Sequence, residues 1–399
     1  MDPITTKGPS KGPLDPPRMS AAGRSPSALT QLLTFANIAR RDLLGAPHPV
    51  QEPRRHLDAA IGWLTRAHDK GTDGGVSYGY SLRGGWRPPY RETSGYIAET
   101  FFDLAHQLGS AEHGERAGRI CRWLCRVQNP DGSISNPAYD ASKGIVFDTG
   151  QVLHGLVRGF EETGDAEILR AAEKAADWLT TVADGAKRWT RNTHNGIPHV
   201  YNTRSAWALL RLHKHRPTAE REAVGRANLD WALSQERNGY YEQNAFEVGV
   251  APFTHTIAYA IRGLLESGWL MEDDRYVKAA EASARRVSEN LRSDGFLAGT
   301  IDVQGRPSAS YCCLTGSSQM GIIWARLYNK NGDELFRRSA ESALRYVRSW
   351  QDITTSNPDV RGAIKGSQPV WGAYSRMTFP NWATKFFLDA MLLSRDWLK

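Results

Sequence analysis

The 399-residue chain is poor in sulfur, with four cysteines and six methionines. So few thiols exclude a scaffold held by a disulfide framework. Cys121 and Cys125 lie four apart within a helical pattern and read as core packing, and the adjacent Cys312 and Cys313 cannot easily bridge each other. No apolar run approaches the ~20 residues a helix needs to cross a bilayer. The first 30 residues are rich in Pro, Ser, Gly and Lys and hold no apolar stretch of the kind a secretory signal requires. A soluble, cytoplasmic protein without a membrane span is therefore the expectation. Zinc-finger spacings, aromatic–basic RNA motifs and a basic helix are all missing, so nucleic acid is not an expected partner. Alternation of polar and apolar residues long enough to build a sheet is missing too.

What is present is a repeat. Residues 1–50 read as a disordered leader, and residues 51–399 as one domain. Beyond the leader, an amphipathic helix is followed by a loop, often with a turn signal such as Asn129-Pro130-Asp131-Gly132 or Asp294-Gly295. A more uniformly apolar helix follows. The first helices fall at 53–70, 113–127, 165–183, 220–236, 274–292 and 333–350. The second helices open near Ser94, Asp148, Asn202, His255, Thr315 and Asn381, at successive intervals of 54, 54, 53, 60 and 66 residues. In the third unit Asp165 is placed to cap its helix, and Ile168, Leu169, Ala172, Ala175, Ala176 and Leu179 form a stripe one face wide. That is an outer helix, wetted on one side. A run such as Ile257-Ala258-Tyr259-Ala260-Ile261 belongs to a helix buried by neighbours on several sides. One hairpin cannot bury its apolar face alone, so the units must stack. Six of them predict an all-α fold, an (α/α)6 toroid.

Alternation gives every inner helix the same direction, so their first residues and the preceding loops converge on one axial funnel. Unpaired N–H groups and positive dipole ends gather there. Thr93, Thr149, Thr254 and Thr315 at these openings read first as N-caps. Capping explains less of His199, Tyr201, Arg204 and His255, and Asp148 could serve both purposes. The loops before the inner helices carry Tyr78 and Trp86 early in the chain, and Lys365 and Trp371 late. Flat aromatic faces interspersed with charge suit a sugar chain, which needs stacking for its rings and hydrogen bonds for its hydroxyls. The same faces could hold a carbocation or a prenyl chain.

The six-hairpin period, the Asp148-Thr149-Gly150-Gln151 opening with Gly164-Asp165 after it, and the Pro380-Asn381-Trp382-Ala383 opening resemble bacterial α/α-toroid proteins of exopolysaccharide gene clusters. The wider group comprises six-hairpin glycosidases, unsaturated glucuronyl hydrolases, toroid polysaccharide lyases and glucuronyl epimerases. The terpenoid cyclase and prenyltransferase toroid is a structural cousin. The resemblance covers roughly residues 53 to 399. It implies a carbohydrate-active enzyme that cleaves or modifies a bacterial polysaccharide or oligosaccharide, one containing uronic acid, by hydrolysis or β-elimination. Hydrolysis needs two carboxylates, and Asp148 with Glu92 or Glu247 would supply them. Elimination needs a base and a group that neutralises the uronate.

The candidate catalytic residues are Asp148 as acid or orienting carboxylate, His199 and His255 as acid/base groups, Tyr201 as proton donor and Arg204 as carboxylate clamp. Tyr78, Trp86, Glu92, Asn202, Lys365, Trp371, Asn381 and Trp382 are the candidate substrate-binding residues. No cofactor and no metal is expected. Two alternatives stand beside this reading. One is a terpenoid cyclase or prenyltransferase, for which the chain has no Asp-x-Asp-Asp motif and offers Asn381 where a zinc-binding His would be needed. The other is a non-catalytic glycan-binding component of polysaccharide biosynthesis. The oligomeric state is left open.

Overall fold

A computed structural model describes residues 28–71, 73–136 and 140–398. Thirteen α-helices account for most of the described chain. Helix α1 (Ala28–Leu44) precedes the repeat. The outer helices are α2 (Pro53–Asp69), α4 (Ala111–Val127), α6 (Ala166–Thr181), α8 (Ala219–Ser234), α10 (Asp274–Ser288) and α12 (Glu334–Ser349). The inner helices are α3 (Arg91–Leu108), α5 (Val146–Thr163), α7 (Thr203–His215), α9 (Thr254–Met271), α11 (Leu314–Asn331) and α13 (Asn381–Ser394). The inner helices pack in sequence, α3 on α5, α5 on α7, α7 on α9, α9 on α11 and α11 on α13, and α13 returns to α3. The ring is closed, and the (α/α)6 toroid is the fold.

The tight turns join each inner helix to the outer helix that follows. In Gly164-Asp165 and Gly332-Asp333 one dipeptide ends a helix and starts the next. Gly164 and Gly332 take φ of 66° and 74°, the left-handed C-terminal cap, and Asp165 and Asp333 accept the N–H of Glu167 and Leu335. The long segments run from outer to inner helix. The packed pairs are therefore α3/α4, α5/α6, α7/α8, α9/α10 and α11/α12, and the first outer helix, α2, finds its partner in the last inner helix, α13. At this seam the strand Gly79–Ser81 pairs antiparallel with Thr378–Pro380, and Trp63 donates its indole N–H to the Asp359 carbonyl at 2.8 Å.

The inner helices approach closely where side chains are small. A Cβ on Gly155 would sit 2.1 Å from the Gly95 carbonyl oxygen of the neighbouring inner helix. Farther along the axis the interior is filled by paired charges. Arg211 of α7 donates to Glu99 of α3 at 2.5 Å and to Glu161 at 2.9 Å, and Lys385 of α13 pairs with Asp389 at 2.5 Å. Trp207 lies among the guanidinium groups of Arg204, Arg211 and Arg262, at 5.2, 5.9 and 5.5 Å. This packed charged floor sits beyond the inner-helix N-termini, one to several turns into the ring.

Helix α1 corrects the reading of residues 1–50 as a disordered leader from residue 28 onward; residues 1–27 of that leader lie outside the described residues. Asp42 in its last turn forms a buried ion pair with Lys365 at 2.6 Å and accepts the Val370 N–H at 2.7 Å, and Thr34 accepts from Asn357 at 3.3 Å. These partners lie more than 300 residues away in the chain, and no local pattern announces them.

Two outcomes follow from the packing. Gly155→Ala is expected to lower unfolding free energy by about 1–3 kcal/mol or more, because the clash is with backbone. Denaturant titration checks it. At the α9/α10 turn the left-handed cap is Glu272, exposed, with φ 54°. Glu272→Gly is expected to stabilise by up to about 1 kcal/mol, since glycine carries no Cβ penalty there, and a rise in melting temperature would show it.

Candidate active site

The outer and inner helices differ at their starts. Asp165, Thr218, Asp273 and Asp333 cap outer helices through their side chains. Of the inner helices, only α11 has a side-chain cap, from the Cys313 sulfur to Gly316 N–H; α3, α5, α7, α9 and α13 have none. The capping expected of the inner-helix hydroxyls is thus corrected. Ser94, Thr149 and Thr384 instead accept N–H groups from the loops before their helices, those of Val76, Ile134 and Ile364, at 3.0, 2.9 and 3.0 Å. They tie the loops down onto the ring, and loop carbonyls of Asn192, Gly299, Gly366 and Tyr78 accept the first N–H of α5, α9, α11 and α13 in place of side-chain caps.

Several of the openings also hold a buried polar atom without a hydrogen-bond partner among the described residues. They are the hydroxyl of Thr93 on α3, Oδ2 of Asp148 on α5, Oδ1 of Asn202 and Nη1 of Arg204 at the start of α7, the hydroxyl of Thr315 on α11 and Oδ1 of Asn381 on α13. Buried polar groups are almost always paired. Such a concentration at one end of the ring marks a place built to meet a polar ligand or water.

Two carboxylates face this region from adjacent inner helices. Glu92, in the first turn of α3, is buried and receives the Tyr96 hydroxyl at 3.5 Å. The hydroxyl of Tyr90 also reaches it, and Asn136 donates to Tyr90 at 2.9 Å. Burial, and then the nearby charge of Asp148, push the Glu92 carboxyl well above the ordinary carboxylate range. Asp148 is 1% exposed. Its Oδ1 lies 3.2 Å from Nε2 of His194, whose Nδ1 lies 2.9 Å from the Tyr201 hydroxyl. A neutral ring donating to Asp148 and accepting from Tyr201 satisfies both contacts. His194 was missed at the level of sequence. It sits in a single 3-10 turn, His194–Gly196, with Asn195 at φ 53° and Gly196 at φ 68°. The Thr193-His194-Asn195-Gly196 run carries a turn signal in its Asn-Gly pair, but nothing local points that turn at Asp148.

The other candidates fall into place or out of it. His199 presents both ring nitrogens to backbone carbonyls, Nδ1 to Ala245 at 2.9 Å and Nε2 to His194 at 2.7 Å, and stacks on Tyr201 with ring centres 4.5 Å apart. Burial takes its pKa down to about 4, although the two carbonyls pull the other way. A neutral ring can donate to only one of the two carbonyls, and both nitrogens face loop backbone, so His199 serves to fix the His194 loop. His255 is bonded through Nδ1 to Gln319 at 2.6 Å, and burial lowers its pKa to about 3. Arg204 is 1% exposed, donates from Nε to Gln151 at 2.9 Å and lies 5.3 Å from the Tyr259 ring. Burial lowers its pKa to about 10, so it stays charged near neutrality.

An aromatic wall links the openings. Tyr78 meets Trp382 edge-on at 4.7 Å and Tyr90 at 5.3 Å, Trp382 donates to the Tyr374 hydroxyl at 2.8 Å, and Tyr374 lies 4.9 Å from His255. Across the funnel Phe147 contacts Tyr201 and Tyr259 at 5.2 and 5.0 Å. Asn381 donates to the Ser77 carbonyl at 2.8 Å. Three expected binding residues stand apart from this wall. Lys365 is consumed by Asp42 and Gln368 beneath α1. Trp86 stacks on Trp63 at 5.4 Å and donates to Asp359 at 2.9 Å, as part of the ring seam. Trp371 is exposed, with its carbonyl held by Arg376 at 3.0 Å. The physical reason is shared: a long loop can turn its aromatic or basic residue toward scaffold as readily as toward a cleft. Among the described residues no group of three or more His, Cys, Asp and Glu could hold a metal ion.

No family model matches the sequence, and no curated protein matches it. Solved structures do match in shape. An unsaturated glucuronyl hydrolase specific for heparin superposes with a TM-score of 0.68 at 15% identity, over 86% of this chain and 97% of its own. The unsaturated glucuronyl hydrolase from Bacillus sp. GL1, responsible for the degradation of glycosaminoglycan, gives the same score and identity over 86% and 96%. Cellobiose 2-epimerase from Bacillus thermoamylovorans gives 0.64 at 13% identity, over 90% of this chain and 99% of its own. At these identities the likeness establishes the toroid fold the chain shares with them.

Proposed function

We propose that the chain is a carbohydrate-active hydrolase that cleaves an oligosaccharide containing a uronic acid, with Glu92 and Asp148 as its two working carboxyl groups. The observation that carries this reading is the contrast between the two environments. Glu92 is pushed toward its protonated form by burial and by the charge of Asp148, whereas Asp148 lies beside the His194 ring and keeps one oxygen unpartnered among the described residues. A carboxyl group that burial keeps protonated, beside a second carboxyl group with an oxygen to offer, supplies the acid and base that hydrolysis needs. Glu92 would give its proton to the departing glycosidic oxygen as the bond to the anomeric carbon breaks. Oδ2 of Asp148 would take a proton from the water that attacks that carbon, with His194 and Tyr201 holding its other oxygen in place. Arg204, charged and with Nη1 unpartnered among the described residues, is suited to the substrate carboxylate.

Elimination is the weaker reading. It needs a base strong enough to remove a proton from carbon. His255 is held at a pKa near 3 and His199 near 4, and both are poor bases. The substrate class draws support from the shape likeness to the glucuronyl hydrolases and from the net charge of +7, which favours an acidic glycan.

The test is incubation with a panel of acidic and neutral oligosaccharides, reading new reducing ends together with the ultraviolet absorbance of an unsaturated uronate. Reducing ends from an acidic substrate without a rise in absorbance are expected; a rise would assign a lyase, and no turnover on any acidic glycan would remove the reading. Glu92→Gln and Asp148→Asn are each expected to lower kcat by about 10²–10⁴-fold with unchanged helical circular dichroism.

Stability gives a second check. The folded state holds the Glu92 proton to higher pH than the unfolded chain does, so folding loses free energy as pH rises above the ordinary glutamate value. The loss stops growing once the folded-state carboxyl ionises as well. Glu92→Gln is expected to melt higher than the parent at neutral pH, with the gap shrinking as the pH falls toward 4.5, the ordinary glutamate value.

A further inference from the structure

Helix α1 is docked inside out. A surface helix normally turns its apolar stripe to the core and its polar face to water. At 100° per residue, positions 29, 32, 33, 36, 43 and 44 share one side of this helix, and that side is solvent-exposed. Leu29 is 64% exposed, Leu32 63%, Leu33 61%, Leu43 74% and Leu44 68%. The opposite side is the buried one and is largely polar: Thr34 and Asp42 make the contacts to Asn357 and Lys365, and Ile38 between them packs against the core. Burying that side fixes the rotation of the helix, so the leucines are held outward. Contiguous leucine surface of this kind on a soluble protein marks a contact site.

Charge chooses the occupant. From residue 16 to residue 41 the sequence contains Arg18, Arg24, Arg40 and Arg41 and no acidic residue. The first acid after them, Asp42, is already neutralised by Lys365. Two copies meeting through this stripe would bring like charges together, whereas an anionic bilayer attracts them. Arg40 lies within the apolar side, where its long stem can follow the leucines while its head reaches lipid phosphate. No described helix is long and apolar enough to cross a membrane, so contact along the surface is the mode available. We propose that α1 lies along an anionic lipid surface, its leucine stripe immersed and its polar face gripped from behind by the toroid. The enzyme would then work as a peripheral protein, held at a membrane by the helix that precedes its ring.

The experiment uses the full chain and vesicles of phosphatidylcholine with or without about 30% phosphatidylglycerol. Co-flotation with the anionic vesicles is expected, weaker by roughly tenfold on phosphatidylcholine alone or at raised salt. Leu33→Ser combined with Leu43→Ser should abolish it, while the melting temperature stays within a degree or so of the parent, because both side chains are exposed. Failure of the parent chain to float with anionic vesicles would overturn the proposal, as would undiminished flotation of the double variant. Sedimentation velocity without lipid supplies the remaining arm. A dimer that the double variant converts to monomer would assign the stripe to a second copy of the chain and overturn the lipid reading; a monomer in both cases supports it.

Discussion

Six helices that run the same way around one axis bring six positive ends to one place, and nearly everything about the site follows from how those ends are left. Four of the six outer helices take an Asp or Thr side-chain cap, and α2 and α4 take none. Inner helices mostly take none, and the hydroxyls that could have capped them hold the loops down instead. The loops in turn supply carbonyls to the first N–H of α5, α9, α11 and α13, and side-chain atoms unpartnered among the described residues gather at this end of the ring, above the packed charges of Arg211, Glu99, Lys385 and Asp389. The aligned dipoles of the inner helices favour negative charge at that end.

Within that field the two carboxyl groups are differentiated by their neighbours. Burial, and then the charge of Asp148, favour retention of the Glu92 proton, against the hydrogen bonds from Tyr90 and Tyr96. Asp148 is oriented by His194, and His194 is oriented by Tyr201 and by a loop pinned through His199. The histidines thus divide: His194 touches Asp148, His199 holds the His194 loop, and His255 bonds to Gln319. Burial explains the division: rings desolvated to a pKa of about 3 or 4 have little capacity for proton transfer near neutrality.

Helix α1 is organised by the same rule of pairing buried charge. Asp42 and Lys365 are tolerable in the interior because they meet each other. That single pair helps seat the helix with its leucines outward and removes Lys365 from the funnel.

The sequence by itself determined the six-fold repeat, the positions of the twelve ring helices to within a few residues, the shared direction of the inner set and the placing of Asp148, Tyr201, Arg204, His255 and Asn381 at one end of the ring. These rest on periodicity and on cap chemistry such as Gly164-Asp165, which act within a turn or two of chain. Tertiary structure alone decided that α2 packs with α13, that Glu92 and Asp148 share one field, that His194 rather than His199 reaches the carboxylate, and that Trp86 and Lys365 belong to the seam and to α1. Each of those depends on contacts between residues tens to hundreds of positions apart, placed by loops whose backbone carries no period from which a direction could be read.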